Sequence, residues 1–172
     1  MSPNFDDLCE LAAEVGRALS AHGWRLATAE SCTGGLVSAA ITSVAGSSDW
    51  FDRGFVTYSN AAKTALLDVP AESIARFGAV SADVARAMAQ GAAQRAGVNL
   101  AVAITGIAGP GGGSAAKPVG TVWFGLAWRD MNGPQTATRH VLLSGDRGAV
   151  RMQAAQLALR WVRDAAQTAA PP

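Results

Sequence analysis

Two polar residues stand out by type and setting. Ser31 lies in Ala29-Glu30-Ser31-Cys32-Thr33-Gly34-Gly35, and Lys63 closes the run Tyr58-Ser59-Asn60-Ala61-Ala62-Lys63. A serine after a strand and just ahead of two glycines can present its hydroxyl to a substrate. Backbone N–H groups of the following turn can then hold an oxyanion. The same placement suits a helix cap by Ser31 or Thr33, and on this stretch alone both readings stand. A serine nucleophile needs a base. His22 sits at a helix end and His140 alternates within a strand, so a Ser-His-Asp arrangement is not favoured. Lys63 and Lys117 are the only lysines in a chain whose other basic residues are arginine or histidine. Arginine stays charged, whereas desolvation can bring a lysine from about 10.4 down to the roughly 7–8 that suits a general base. Ser-Lys pairs are a known variant of the catalytic triad. Tyr58, the only tyrosine, can relay a proton or orient the lysine or substrate. A solvated surface lysine and a core aromatic with a wet tip are the competing readings of these two.

A second glycine-rich loop, Thr105-Gly106-Ile107-Ala108-Gly109-Pro110-Gly111-Gly112-Gly113, allows close backbone approach to a ligand. Its successive N–H groups can form an anion-binding nest. It is neither a Walker A loop nor a dinucleotide fingerprint in its usual place before a helix. A flexible surface loop is the alternative. Arg147 and Arg151 lie one helical turn apart at the start of the last helix. They can grip a phosphate or carboxylate, or stand as an exposed pair.

The elements that must position these groups follow from local pattern. Asp6 or Asp7 caps a first helix whose apolar residues are Leu8, Leu11, Ala12, Val15 and Leu19. Trp24 to Thr28 reads as a strand, Ser31 to Gly35 as a turn, and Leu36 to Val44 as a helix of small residues. Trp50 to Tyr58 reads as a strand weakened or bulged at Gly54. Ser59-Asn60 caps a short helix through Lys63 and Leu67, and Pro70 opens another near Ser73 to Phe77. Ser81 caps a longer one through Met88 that ends near Gly97. Leu100 to Ile104 is a continuous apolar run, as in a strand covered on both faces. Gly120 to Trp128 and Thr136 to Leu143 pair through a turn at Met131-Asn132-Gly133. A last helix runs from Gly145-Asp146-Arg147 through Trp161, with a frayed Ala/Pro tail from Ala165. The expected fold is α/β: a three-layer α/β/α sandwich with a mixed sheet, in one domain over 1–172 with its core at about 8–162.

Bulk properties narrow the function classes. The 172 residues suit one domain, 49% are apolar, 16% are charged, and the net charge is +1. No basic block suggests nucleic acid. Two cysteines, Cys9 and Cys32, are too few for a disulfide framework, and no Cys/His cluster suggests a metal. The acidic N-terminus is unlike a signal peptide, and no apolar stretch is long enough to span a bilayer. The expectation is a cytoplasmic protein with no membrane association.

Several segments occur together in one order: Ala29 to Gly35, Gly54-Phe55-Val56-Thr57-Tyr58-Ser59-Asn60-Ala61-Ala62-Lys63, Gly78-Ala79-Val80-Ser81, Ala103 to Gly112, Lys117-Pro118-Val119-Gly120-Thr121-Val122 and Gly145-Asp146-Arg147. This closely resembles the CinA C-terminal domain family, from about Leu8 to Val162. The resemblance implies hydrolysis of the carboxamide of nicotinamide mononucleotide to nicotinic acid mononucleotide and ammonia, in pyridine nucleotide recycling. It also implies a three-layer α/β/α fold, no metal, no cofactor, and homo-oligomers, commonly dimers. By position, Ser31 matches the family's nucleophile and Lys63 its base, with Tyr58 beside them. The implied substrate contacts are Glu30, Thr33, Gly34 and Gly35 in the first loop, Asn60, then Thr105, Gly106, Ala108, Gly109 and Gly111 in the second, and Arg147. Ser114-Ala115-Ala116 replaces a stretch that often carries an acidic residue in the family. Competing readings are a non-catalytic pyridine-nucleotide-binding module, an amidase for another small amide, and a partner domain for DNA-uptake or repair proteins.

Overall fold

The computed structural model describes residues 3–168. Five strands form one mixed sheet in the order β2-β1-β3-β4-β5. They are β1 Leu26–Glu30, β2 Phe51–Val56, β3 Leu100–Gly106, β4 Thr121–Asp130 and β5 Gly133–Leu142. β1 pairs parallel with β2 on one side and β3 on the other, while β4 and β5 continue antiparallel. Six α-helices cover the sheet: α1 Phe5–Ser20, α2 Leu36–Thr42, α3 Asn60–Leu67, α4 Ala71–Phe77, α5 Ala82–Ala96 and α6 Arg147–Thr168. The result is the expected α/β/α arrangement.

The two faces of the sheet carry separate cores. α1, α2 and α6 pack with Leu26, Leu100, Val102, Ile104, Phe124 and Leu126 on one face. α3, α4 and α5 pack with Ala27, Ala29, Ala101 and Ala103 on the other. Alternation along β1 explains the division: even positions meet α2, and the small odd positions let α5 approach closely. The approach is tightest at Gly125 of β4, where an added Cβ would overlap the Ala85 carbonyl of α5.

This topology fixes where a site can form. The chain leaves β1 through α2 to β2, then returns through α3, α4 and α5 to β3 on the opposite side of β1. The two crossovers lie on opposite faces of the sheet, so a crevice opens beyond the carboxyl ends of β1 and β3, the usual ligand position in α/β sheets.

Several local expectations need correction. Asn4, not Asp6 or Asp7, caps α1. Asn4 and Asp7 form a reciprocal capping box, so Asp7 acts from inside the first turn. β1 begins at Leu26 and runs to Glu30, past the apolar residues that suggested it. The irregularity between β1 and β2 falls between Leu26 and Ala27, not at Gly54. Gly54 instead makes room for Ser38 and Thr28, whose hydroxyls an added Cβ would crowd. α2 ends at Thr42 rather than Val44. α6 continues through Thr168 with Ala166 buried, so no fraying begins at Ala165. The rest of the expected tail lies outside the described residues. Among the described residues, no helix is long and apolar enough to cross a membrane.

Candidate active site

Ser31 follows Glu30, the last residue of β1, and alternation turns consecutive side chains to opposite faces. Glu30 goes to the α2 face. It is fully buried, and its carboxylate accepts from the Gly35, Val37 and Ser38 amides and from the Ser38 hydroxyl, at 2.7–3.1 Å. These are the otherwise unpaired donors at the start of a helix, where negative charge is favourable. Glu30 is therefore the cap of α2 and does not line the cavity at Ser31, contrary to its expected place among substrate contacts. Thr28 joins this network through Ser38 at 2.8 Å.

Ser31 goes to the other face and meets α3. Lys63 Nζ lies 3.0 Å from Ser31 Oγ and donates to the Thr57 carbonyl at 2.8 Å. Lys63 is only 1% exposed. Among the described residues it takes part in no ion pair. Burial lowers its pKa from the ordinary 10.5, because low-dielectric surroundings disfavour the ammonium form. Nζ donates both to the Thr57 carbonyl and to Ser31 Oγ; with the amine deprotonated, the Nζ lone pair can take the Ser31 proton along the same short contact. The local sequence supplies the framework. Ser59 caps α3 by accepting from the Ala62 amide, which sets the helix start and places Lys63 at the end of the first turn.

A cavity of about 290 Å³ opens over this pair. Its walls are Ser31 and Cys32 from the first loop, Tyr58, Asn60 and Lys63 around α3, Ala79 and Val80 ahead of α5, Thr105, Gly106 and Ala108 from the second loop, and Arg147 of α6. Cys32, Ala79 and Val80 join the lining without being among the site residues that the sequence points to. Gly78-Ala79-Val80-Ser81 carried only a family resemblance, and Cys32 has no chemistry that its sequence position reveals. Burial pushes the Cys32 thiol up to about 11, so at neutral pH it is not a thiolate competing with Ser31. Thr105 is buried and donates from Oγ1 to the Ala79 carbonyl at 2.9 Å, tying the Ala79 segment to the end of β3.

Tyr58 occupies the rim rather than the floor. It is 63% exposed, and Arg147 Nη2 donates to its hydroxyl at 3.0 Å, while Nη1 donates to the Gly109 carbonyl at 2.8 Å. The lysine is thus oriented by Thr57, not Tyr58, and Arg147 straps the two loops across the cavity mouth. Arg151 is not free to grip a ligand beside Arg147. Its Nε donates to the Cys32 carbonyl at 3.1 Å and its Nη2 to the Thr33 carbonyl at 2.9 Å. Thr33, Gly34, Gly35, Gly109 and Gly111 lie outside the lining. Gly34 and Gly35 have positive φ, of 60° and 95°, and shape the turn.

The loop amides sort into used and unused donors. Ser31 N–H pairs with the Ile104 carbonyl and Gly34 N–H with the Ser31 carbonyl, and Gly35 N–H belongs to Glu30. The Cys32 and Thr33 amides find no acceptor among the described residues. They are the loop's unpaired backbone donors; of the two residues, Cys32 lines the cavity, and the residue after a nucleophile commonly supplies an oxyanion donor.

A larger groove of about 890 Å³ lies at the other end of the sheet, lined by Trp24, Trp128, Trp161 and Arg139 among others. No serine, cysteine or lysine is among its lining residues. His22 faces that groove, and His140 stacks on Trp123 at 4.9 Å. Neither histidine lines the cavity at Ser31.

Known proteins are similar to this chain in sequence and in architecture. The chain is 56% identical over 153 residues to the nicotinamide-nucleotide amidohydrolase PncC of Enterobacter agglomerans, covering 89% of this chain and 92% of that protein. It is 53% identical over 154 residues to PncC of Escherichia coli K12, covering 90% and 92%. Among solved structures, the competence/damage inducible protein CihA from Agrobacterium tumefaciens superposes with a TM-score of 0.85 at 43% identity, covering 94% of this chain and 96% of that one. The CinA C-terminal domain model matches residues 8–166, a span that holds every residue of the Ser31–Lys63 cavity. The chain belongs to the CinA C-terminal domain family.

Proposed function

We propose that the protein is a nicotinamide-nucleotide amidohydrolase that releases ammonia from nicotinamide mononucleotide, with Ser31 as nucleophile and Lys63 as general base. The observation that carries this reading is the buried Ser31–Lys63 contact in a cavity at the carboxyl ends of β1 and β3. Relatives named for that activity cover nearly the whole chain and support the choice of substrate.

Neutral Lys63 accepts the Ser31 proton as Oγ attacks the carboxamide carbon. The Cys32 and Thr33 amides receive the developing oxyanion, each such donor contributing about 3–4 kcal/mol in comparable sites. The C–N bond breaks, and the Lys63 ammonium returns the proton to the leaving ammonia. A water then attacks the acyl-serine, losing its proton to Lys63; the C–Oγ bond breaks, Lys63 returns that proton to Ser31 Oγ, and nicotinic acid mononucleotide departs. Asn60, the amides of the second loop and Arg147 stand at the mouth, where the nucleotide's ribose and phosphate would lie. This chemistry asks for no metal or cofactor. The reading extends to a cytoplasmic homodimer, which light scattering after gel filtration tests.

The deciding measurement is ammonia release from nicotinamide mononucleotide by the wild type, Ser31→Ala and Lys63→Ala. Activity in the wild type and loss in both variants supports the reading. A wild type that binds the nucleotide without releasing ammonia would replace it with a non-catalytic binding module.

A further inference from the structure

Arg151 sits behind the candidate nucleophile rather than in the cavity. It is half-buried, and among the described residues it forms no ion pair. Its guanidinium instead reaches two consecutive backbone carbonyls, Cys32 at 3.1 Å and Thr33 at 2.9 Å. A charged group directed at neutral carbonyls in the loop after Ser31 calls for an explanation beyond solubility.

Peptide geometry supplies one. A trans peptide is planar, so its C=O and N–H point in opposite directions. The Cys32 carbonyl shares a peptide with the Thr33 amide. Arg151 belongs to α6, on one face of the sheet, whereas Lys63 belongs to α3 on the other. Holding the Cys32 carbonyl onto Arg151 therefore turns the Thr33 N–H of the same peptide away from the Arg151 guanidinium. That amide is one of the two in the loop with no acceptor among the described residues. The Thr33 carbonyl, held the same way, shares its peptide with the Gly34 amide, which closes the turn onto the Ser31 carbonyl at 3.1 Å. A charged donor on the carbonyl also polarises the peptide and strengthens its N–H as a donor.

We propose that Arg151 is a positioning residue of the hydrolytic site, fixing the Cys32–Thr33 peptide so that its amide is preset to receive the oxyanion. The proposal rests on Ser31 as the nucleophile. It does not depend on which amide is the natural substrate. Lysine, with one terminal nitrogen, cannot reproduce the two-pronged contact.

The test uses labelling of Ser31 by a fluorophosphonate. Ser31 Oγ bonds to phosphorus, fluoride leaves, the proton goes to Lys63, and the phosphoryl oxygen occupies the oxyanion position. Arg151→Ala and Arg151→Met, the latter keeping an aliphatic stem should alanine fail to fold, are expected to slow labelling at least tenfold. Arg151→Lys is expected to recover part of the rate. With nicotinamide mononucleotide the same variants should lose 10- to 100-fold in kcat with KM within about threefold, since the loss of an oxyanion donor acts in the transition state. Wild-type labelling rates in the alanine and methionine variants would overturn the proposal, as would a loss confined to KM. A wild type that is not labelled at Ser31 would overturn it together with the nucleophile assignment. A wild type that labels, with slowed variants, yet leaves nicotinamide mononucleotide intact would support Arg151 and refute only the substrate.

Discussion

Lys63 Nζ lies 3.0 Å from Ser31 Oγ across 32 positions of sequence, and Glu30, the immediate neighbour of Ser31, turns its carboxylate away to the opposite face of the sheet. That separation keeps an anion off the lysine. A carboxylate beside Lys63 would hold the ammonium form and remove the base. The alternation of β1 is what allows an acid and a nucleophile to be adjacent in sequence yet remote in chemistry.

If Ser31 and Lys63 act as a unit, their losses will not add. Ser31→Ala and Lys63→Met should each lower kcat at least ~10³-fold, and the double variant should be no worse than the poorer single variant. Steady-state ammonia release reads this directly. Multiplying losses would show that the two residues act independently.

The pH dependence of rate has a definite sign. Lys63 must be neutral to accept a proton, and burial lowers its pKa from 10.5. Activity should rise with pH to a plateau, with the midpoint below the range of a free lysine. Stability follows the same group. Because its folded pKa is the lower one, the unfolded state binds more protons between that pKa and 10.5, so stability should increase with pH across this window. Below the window the penalty for a buried ammonium is constant. Lys63→Met should remove that rise, as urea denaturation at a series of pH values would show.

Glu30→Gln should act on stability. The substitution removes the charge that four donors share and turns an N–H₂ group toward them. We expect a cost of about 2–3 kcal/mol, or roughly 4–12 °C in Tm for a chain of this size. KM should change little, because the side chain does not line the cavity. A large KM increase at unchanged Tm would instead make Glu30 a substrate contact.

Arg147→Ala should open the rim. Losing the bonds to Tyr58 and Gly109 frees both loops at an exposed position. We expect KM to rise about tenfold, in line with loss of one charged hydrogen-bonding group, with Tm within about 2 °C of wild type. Tyr58→Phe should give a smaller rise in KM with a nearly unchanged pH profile, because Thr57 and not Tyr58 holds Lys63. A displaced pH midpoint in Tyr58→Phe would contradict that assignment.

Many local signals whose physics spans only a few residues are readable from the sequence, although the Asn4 cap of α1 is not among those it yielded. Ser59 and Ser81 cap the helices they precede, the hairpin turns where expected although its loop is only Met131-Asn132 and Gly133 already pairs in β5, and the apolar run from Leu100 is a strand covered on both faces. Ser31 and Lys63 were identifiable as residue types suited to a nucleophile and base, and the ordered set of motifs linked them to a family. The hydrogen-bond partners of Glu30, Arg151 and Tyr58 are not legible in the sequence for one common reason: the partner of a polar group depends on the face to which the strand or helix turns it. Glu30 meets α2, Arg151 reaches back 119 and 118 positions to Cys32 and Thr33, and Tyr58 meets Arg147 rather than Lys63. Sequence determined the elements, their caps and the reactive residue types. Only the tertiary structure decided the strand order β2-β1-β3 and the two-sided packing that brings Lys63 to Ser31, because those contacts join segments far apart in the chain and local energetics do not specify them.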